Sequence, residues 1–120
     1  MNKIKILHVI HGLPRGGLEN GVVNLLNGLP ENRYEQFVCC LDQKGQMADR
    51  IIRPVDIYLM NRKRYDFSVP FRLAKIIKQI RPNIIHCRNW NTWLDTAMAN
   101  LLAGRQAKLV WSFHGFADGY

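Results

Sequence analysis

The sequence predicts a doubly wound α/β domain: a parallel sheet of about five strands, ordered 3-2-1-4-5, with helices on both faces. Three observations predict it. Short β-branched or apolar runs alternate with segments of helical periodicity along the whole chain. Glycine- and proline-bearing loops punctuate them at a spacing suited to βαβ units. The length of 120 residues, with 48% hydrophobic, suits one small domain with one core.

Ile4 to Ile10 reads as the first strand, and His11 to Gly17 as a glycine loop that stops it. A helix follows, because Leu18, Val22, Leu25, Leu26 and Leu29 recur at three- and four-residue spacing until Gly28 to Pro30 ends it. Gln36 to Leu41 is the second strand, followed by a polar stretch around Asp42 to Gly45 and a short helix from Met47 to Ile52. Val55 to Met60 is the third strand. Asp66 or Ser68 caps the next helix, with Pro70 in its first turn and Val69, Leu73, Ile76, Ile77 and Ile80 on one face. Arg81-Pro82 closes it. Ile84 to Cys87 is short and apolar, as expected of a strand buried on both faces. Asn91 to Leu102 forms a helix closed by Gly104, and Leu109 to Phe113 the fifth strand.

Composition narrows the function classes. No apolar run approaches the ~18 residues a spanning helix needs, and no signal core follows Met1. The chain is therefore expected in the cytoplasm, with a peripheral place at the inner membrane face open to it. Three cysteines, two of them adjacent at Cys39 and Cys40, fit neither a disulfide framework nor a CxxC site and read as free thiols. Lys and Arg number 17 against 9 Asp and Glu, a net charge of +8 that attracts anions at long range. With no helix-turn-helix or aromatic-interleaved basic strand, nucleic acid is not the expected partner. The basic loop Arg62, Lys63 and Arg64, continued by Arg72, Lys75 and Lys78, is either a solvated helix face or a surface for anionic lipid or a phosphorylated substrate.

In a doubly wound sheet, ligands sit beyond the carboxyl ends of the strands, where the strand order reverses. Gly16 and Gly17, just before a helix, leave backbone N–H groups at the positive end of its dipole, either to cradle a phosphate or sugar oxygen or simply to make a tight turn. The spacing GxGxxG is absent, which disfavours a nicotinamide or flavin. His114 directly follows the fifth strand and should stand at the cleft rim, able to donate or accept a proton near neutral pH. His86 lies within the fourth strand as a structural or functional histidine. Arg88, Asn89 and Trp90 offer a cation, an amide and a flat aromatic face suited to a sugar, while Asn89 serves equally as a helix cap. His8 and His11 lack a third ligand at suitable spacing, so no metal site is expected.

Three segments together carry a family resemblance: KILHVIHGLPRGGLENGVVNLL with its GGxE-like Gly16-Gly17-Leu18-Glu19, then IRPNIIHCRNW, then LVWSFHG. In this order and spacing the chain resembles the N-terminal domain of glycosyltransferase family 4, retaining enzymes with two facing Rossmann-like domains (GT-B). The resemblance spans essentially all of residues 1–120. It implies that the chain is the acceptor-side half, cut before the C-terminal donor-binding domain, and inactive alone. It implies transfer of a sugar from a nucleotide-diphosphate donor to an acceptor hydroxyl on a glycan or lipid, with retention and without a metal or other cofactor. Cell-envelope or exopolysaccharide synthesis is the pathway it suggests. By the same resemblance, Gly16 and Gly17 approach the donor diphosphate and acceptor, Arg15 and Glu19 belong to that loop, and His114 contacts the donor sugar near the reacting carbon. His86, Arg88, Asn89 and Trp90 fall on the acceptor or sugar side, with Arg88 standing where many members have a second histidine. A stand-alone flavodoxin-like module binding a phosphate-bearing ligand is the alternative.

Overall fold

The structure is a computed structural model that describes residues 3–12, 24–43, 51, 55–61, 67–88, 90–104 and 107–112. Five parallel strands form one sheet: β1 (Ile4–Gly12), β2 (Tyr34–Gln43), β3 (Asp56–Leu59), β4 (Ile84–Arg88) and β5 (Lys108–Ser112), in the order β3-β2-β1-β4-β5. Residues 24–28 are helical (α1), and two longer helices follow, α2 (Val69–Ile80) and α3 (Trp90–Leu102). The expected α/β class and strand order are therefore those observed.

Strand alternation sorts the core into two layers. Leu7, Val9, Phe37, Cys39, Ile85 and Cys87 face α2 and α3, packing on Leu73, Ile77, Ile80, Ala99 and Ala103. The opposite face carries Ile10, Val38 and Cys40 against Leu26 of α1. Right-handed crossovers require this division: β1 to β2 runs one way across the sheet, whereas β3 to β4 and β4 to β5 run the other.

The α2 boundaries follow from local chemistry. Ser68 is the N-cap residue and a proline opens the first turn, where its missing N–H costs no hydrogen bond. At the other end Arg81 turns left-handed (φ 57°) and its N–H closes on the Ile77 carbonyl at 2.8 Å. In α3, small and polar residues face inward: Thr92, Thr96, Ala99, Asn100 and Ala103 are buried. Asn100 donates Nδ2 to the Ala107 carbonyl at 3.0 Å and accepts the Ala107 N–H at 3.4 Å, tying α3 to the start of β5. Asn83 clamps three strands at their amino ends. Its side-chain oxygen accepts the Lys5 N–H at 2.8 Å, its own N–H reaches the Lys5 carbonyl, and its carbonyl accepts the Lys108 N–H.

Several expectations need adjustment. β1 and β2 run on through residues 11–12 and 42–43, with a register shift between Ile10 and Gly12, so their ends are longer than the apolar runs. β4 is not buried on both faces. Ile85 and Cys87 are buried, but Ile84 and His86 are half-exposed, because α2 and α3 both pack on the other side. The expected helix at 47–52 and a cap at Asp66 lie outside the described residues.

Candidate functional site

The strand order reverses beside β1: β2 lies on one side and β4, reached by the long crossover through α2, on the other. In sheets of this order, ligands bind beyond the carboxyl ends of the strands beside such a reversal, here the ends of β1 and β4. Val9 is in register with Cys87, which puts Gly12 and Arg88 at the carboxyl ends of adjacent strands, with Ser112 of β5 in register with Arg88. Trp90 begins α3 directly beyond that edge. Thus positions 88 and 90 meet the end of β1 at one edge of the sheet. Arg15, Gly16, Gly17, Glu19, Asn89 and His114 lie outside the described residues.

On the α1 side of the sheet, from mid-strand toward the amino ends, runs a polar line across three elements. The Gln36 amide nitrogen donates to the Leu26 carbonyl at 2.9 Å, in the last turn of α1, where carbonyls lack helical partners. That bond leaves Gln36 Oε1 facing His8 Nε2 at 3.2 Å, so the Nε2–H donates to the amide oxygen. His8 is buried, and its ring lies 5.9 Å from that of His86, the two planes inclined at 58°. His8 and His86 are register partners on β1 and β4, on the α1 side of the sheet. His86 is thus placed two residues before the end of β4, half-buried, beside a fully buried histidine rather than on the rim.

The His8–Gln36 pair was missed as a unit in the sequence. Its signal is there: polar residues at inward positions of two otherwise apolar strands need partners when buried.

A cavity of about 450 Å³ opens at the opposite, amino end of β1 to β3, lined by Lys3, Tyr34 and Phe37 among others. Its rim also holds Glu31, Glu35 and Asp56, which repel an anionic ligand. It is remote from the strand-order reversal and has the wrong charge for a diphosphate.

Among the described residues, no group of three or more His, Cys, Asp or Glu is arranged to hold a metal ion. Nor, among them, is any helix long and apolar enough to cross a membrane. All three cysteines are buried, and none forms a disulfide.

The family model for Glycosyltransferase Family 4 matches residues 15–120, most of the chain. The chain belongs to glycosyltransferase family 4. A comparison with curated proteins gives no significant match. Membership in family 4 supports a glycosyltransferase-type function, and the edge where β1 and β4 end is where that chemistry is sought. The family 4 match covers the segments containing β4 and β5 whole, and residues 15–26 of the first segment, whose β1 part precedes the match.

Proposed function

We propose that this chain is the N-terminal, acceptor-side domain of a retaining GT-B glycosyltransferase, which moves a sugar from a nucleotide-diphosphate donor to an acceptor hydroxyl. The observation that carries the reading is the reversal of strand order between β1 and β4 in a family 4 chain, since it sets the end of β1 at Gly12 and the end of β4 at Arg88 on adjacent strands. The backbone N–H groups of Gly16 and Gly17 meet the donor diphosphate, with Arg15 and Glu19 flanking them. His114, next after the fifth strand and Phe113, contacts the donor sugar at the reacting carbon. Arg88, Asn89 and Trp90 hold the acceptor, and His86 stands behind them. Charge building on the leaving diphosphate is stabilised by helix N-termini and cations, without a metal. Donor nucleotide contacts belong to a second domain, so residues 1–120 alone do not turn over. The product belongs to cell-envelope or exopolysaccharide synthesis.

The test is turnover. Hydrolysis and transfer are measured with a panel of nucleotide sugars, for the 120-residue chain and for the protein read through the same frame past Tyr120, with product anomers assigned by NMR. Turnover only in the longer protein, with retention and at least ~10²-fold loss in His114→Ala, supports the reading. A frame that stops at Tyr120, turnover by the short chain, or an inverted product overturns it.

A further inference from the structure

The amphipathic pattern of α3 is inverted relative to a helix that covers a sheet. Its inward positions are small or polar, Thr92, Thr96, Ala99, Asn100 and Ala103, whereas Leu94, Met98, Leu101 and Leu102 are exposed. At about 3.6 residues per turn, Leu94 and Leu101 stand directly opposite Thr96, Ala99 and Ala103, and they are 58% and 56% exposed. Along one flank of α3 packs α2. It adds Phe71, 64% exposed, and Phe67 just before the helix, 82% exposed. With ordinary side-chain areas, these six residues bare roughly 600 Å² of apolar surface. That is the most a monomer commonly leaves open, and it approaches the roughly 800 Å² per partner of a standard protein interface.

Charge selects the partner. Residues 90–102 contain no lysine or arginine and a single carboxylate, the half-buried Asp95. The stripe can therefore meet a copy of itself without bringing like charges together, as a twofold interface requires. An acidic partner would be met by cations along the stripe, and α3 supplies none. The nearest cations of the helical layer, Lys75 and Lys78, belong to α2. About a twofold axis parallel to α3, the two α3 helices meet along Leu94 and Leu101 while the two α2 helices fall on opposite flanks, which keeps their lysines apart. An antiparallel meeting would instead set α2 against α2 and lysine against lysine. We infer that α3 is the centre of a symmetric dimer of this chain, with Leu94, Met98, Leu101 and Leu102 of the two copies packed together and Phe67 and Phe71 at the margin.

The inference does not rest on the transferase reading, because association is measured directly. At ~100 μM in ~0.1 M salt, the 120-residue chain should sediment as a reversible dimer, near twice its 13.9 kDa. Each copy carries a net charge of +8, so ~0.5 M salt should tighten the dimer a few-fold by screening that repulsion. Leu94→Ser/Leu101→Ser should weaken it at least ~100-fold, through apolar burial lost from both copies, and Lys75→Gln/Lys78→Gln should not weaken it. All four positions are exposed, so circular dichroism should show unchanged folds. Because the native thiols are buried, one introduced thiol reports proximity. On air oxidation Leu101→Cys should cross-link the dimer, and Leu59→Cys, exposed on β3, should not. A monomer at this concentration, a dimer that survives the serine pair, or equal cross-linking at positions 59 and 101 overturns the proposal. So does a longer protein, read through the same frame past Tyr120, that stays monomeric, since a later segment would then be the occupant.

Discussion

Cys39 stands in the middle of β2, between β1 and β3, with no exposed surface. Burial pushes its thiol from an ordinary 9.0 up to about 12, helped by the adjacent Cys40 and opposed by Arg72. Burial likewise raises Cys87 to about 11. Only thiolates react readily, so a disulfide reagent at pH 8 should label neither thiol in the folded chain and both after denaturation. Fast labelling without denaturant would contradict this packing. The same shifts have a stability sign. Below about pH 9 both states keep these protons; above it the unfolded chain releases them first, so stability falls with rising pH until the folded thiols also titrate at about 11 to 12. Urea unfolding between pH 9 and 10.5 should approach a loss of about 1.4 kcal/mol per pH unit for each thiol, and Cys87→Ala should remove one share. Gln36 is a different case, because it serves two partners at once. Gln36→Met leaves the His8 Nε2–H and the Leu26 carbonyl buried without that amide and should cost about 2–4 kcal/mol in chemical unfolding. A loss under about 1 kcal/mol would show that the line from α1 to β1 is not structural.

The ends of elements show what a short-range reading captures. Arg81 closes α2 in a left-handed conformation, which costs a residue with a Cβ about 1–2 kcal/mol, whereas glycine adopts it freely and loses about 0.5–1 kcal/mol through unfolded-state entropy. Arg81→Gly should therefore raise the melting temperature by about 2–5 °C and Arg81→Ala should not; a lower melting temperature for the glycine variant would refute the assignment. The stop itself was legible in Arg81-Pro82, as were the α2 start at Ser68 and Pro70 and the apolar stripe ending at Ile80. Those signals are local. Strand order was legible too, because alternating strands and helices leave few right-handed topologies. The long-range pairs were not: Asn83 with Lys5 spans 78 residues, and Gln36 with His8 spans 28. Nothing in the spacing of a single strand says which neighbour its polar residue will meet. The same limit applies to the candidate site, where the edge was legible from topology and His86 was placed on β4, but its pairing with His8 depends on register. The outward Leu94, Met98, Leu101 and Leu102 stripe has the periodicity of a core face, so exposure, not periodicity, distinguishes it.

At the scale of the molecule, the sheet makes stability graded across the fold. β1 is bonded on both sides, to β2 and β4, and its Leu7 to Ile10 segment is buried from both faces. Among the described residues β3 and β5 are the outer strands, the first four residues long and paired with β2 alone, the second paired with β4 alone. Opening either edge exposes less apolar surface than opening β1, so the edges should belong to the less stable cooperative units. Native-state hydrogen exchange should then find the slowest amides in Leu7 to Ile10 and Val38 to Cys40, with those of Ile57 to Leu59 and Leu109 to Val110 exchanging about 10- to 100-fold faster. This gradient bears on the site. The edge where β1 and β4 end is anchored by the strand expected to be most protected, so Gly12 and Arg88 start from a rigid base, the preorganisation that the proposed site calls for. Uniform protection across all five strands would make the sheet a single cooperative unit; faster exchange in β1 than in β5 would contradict the packing itself.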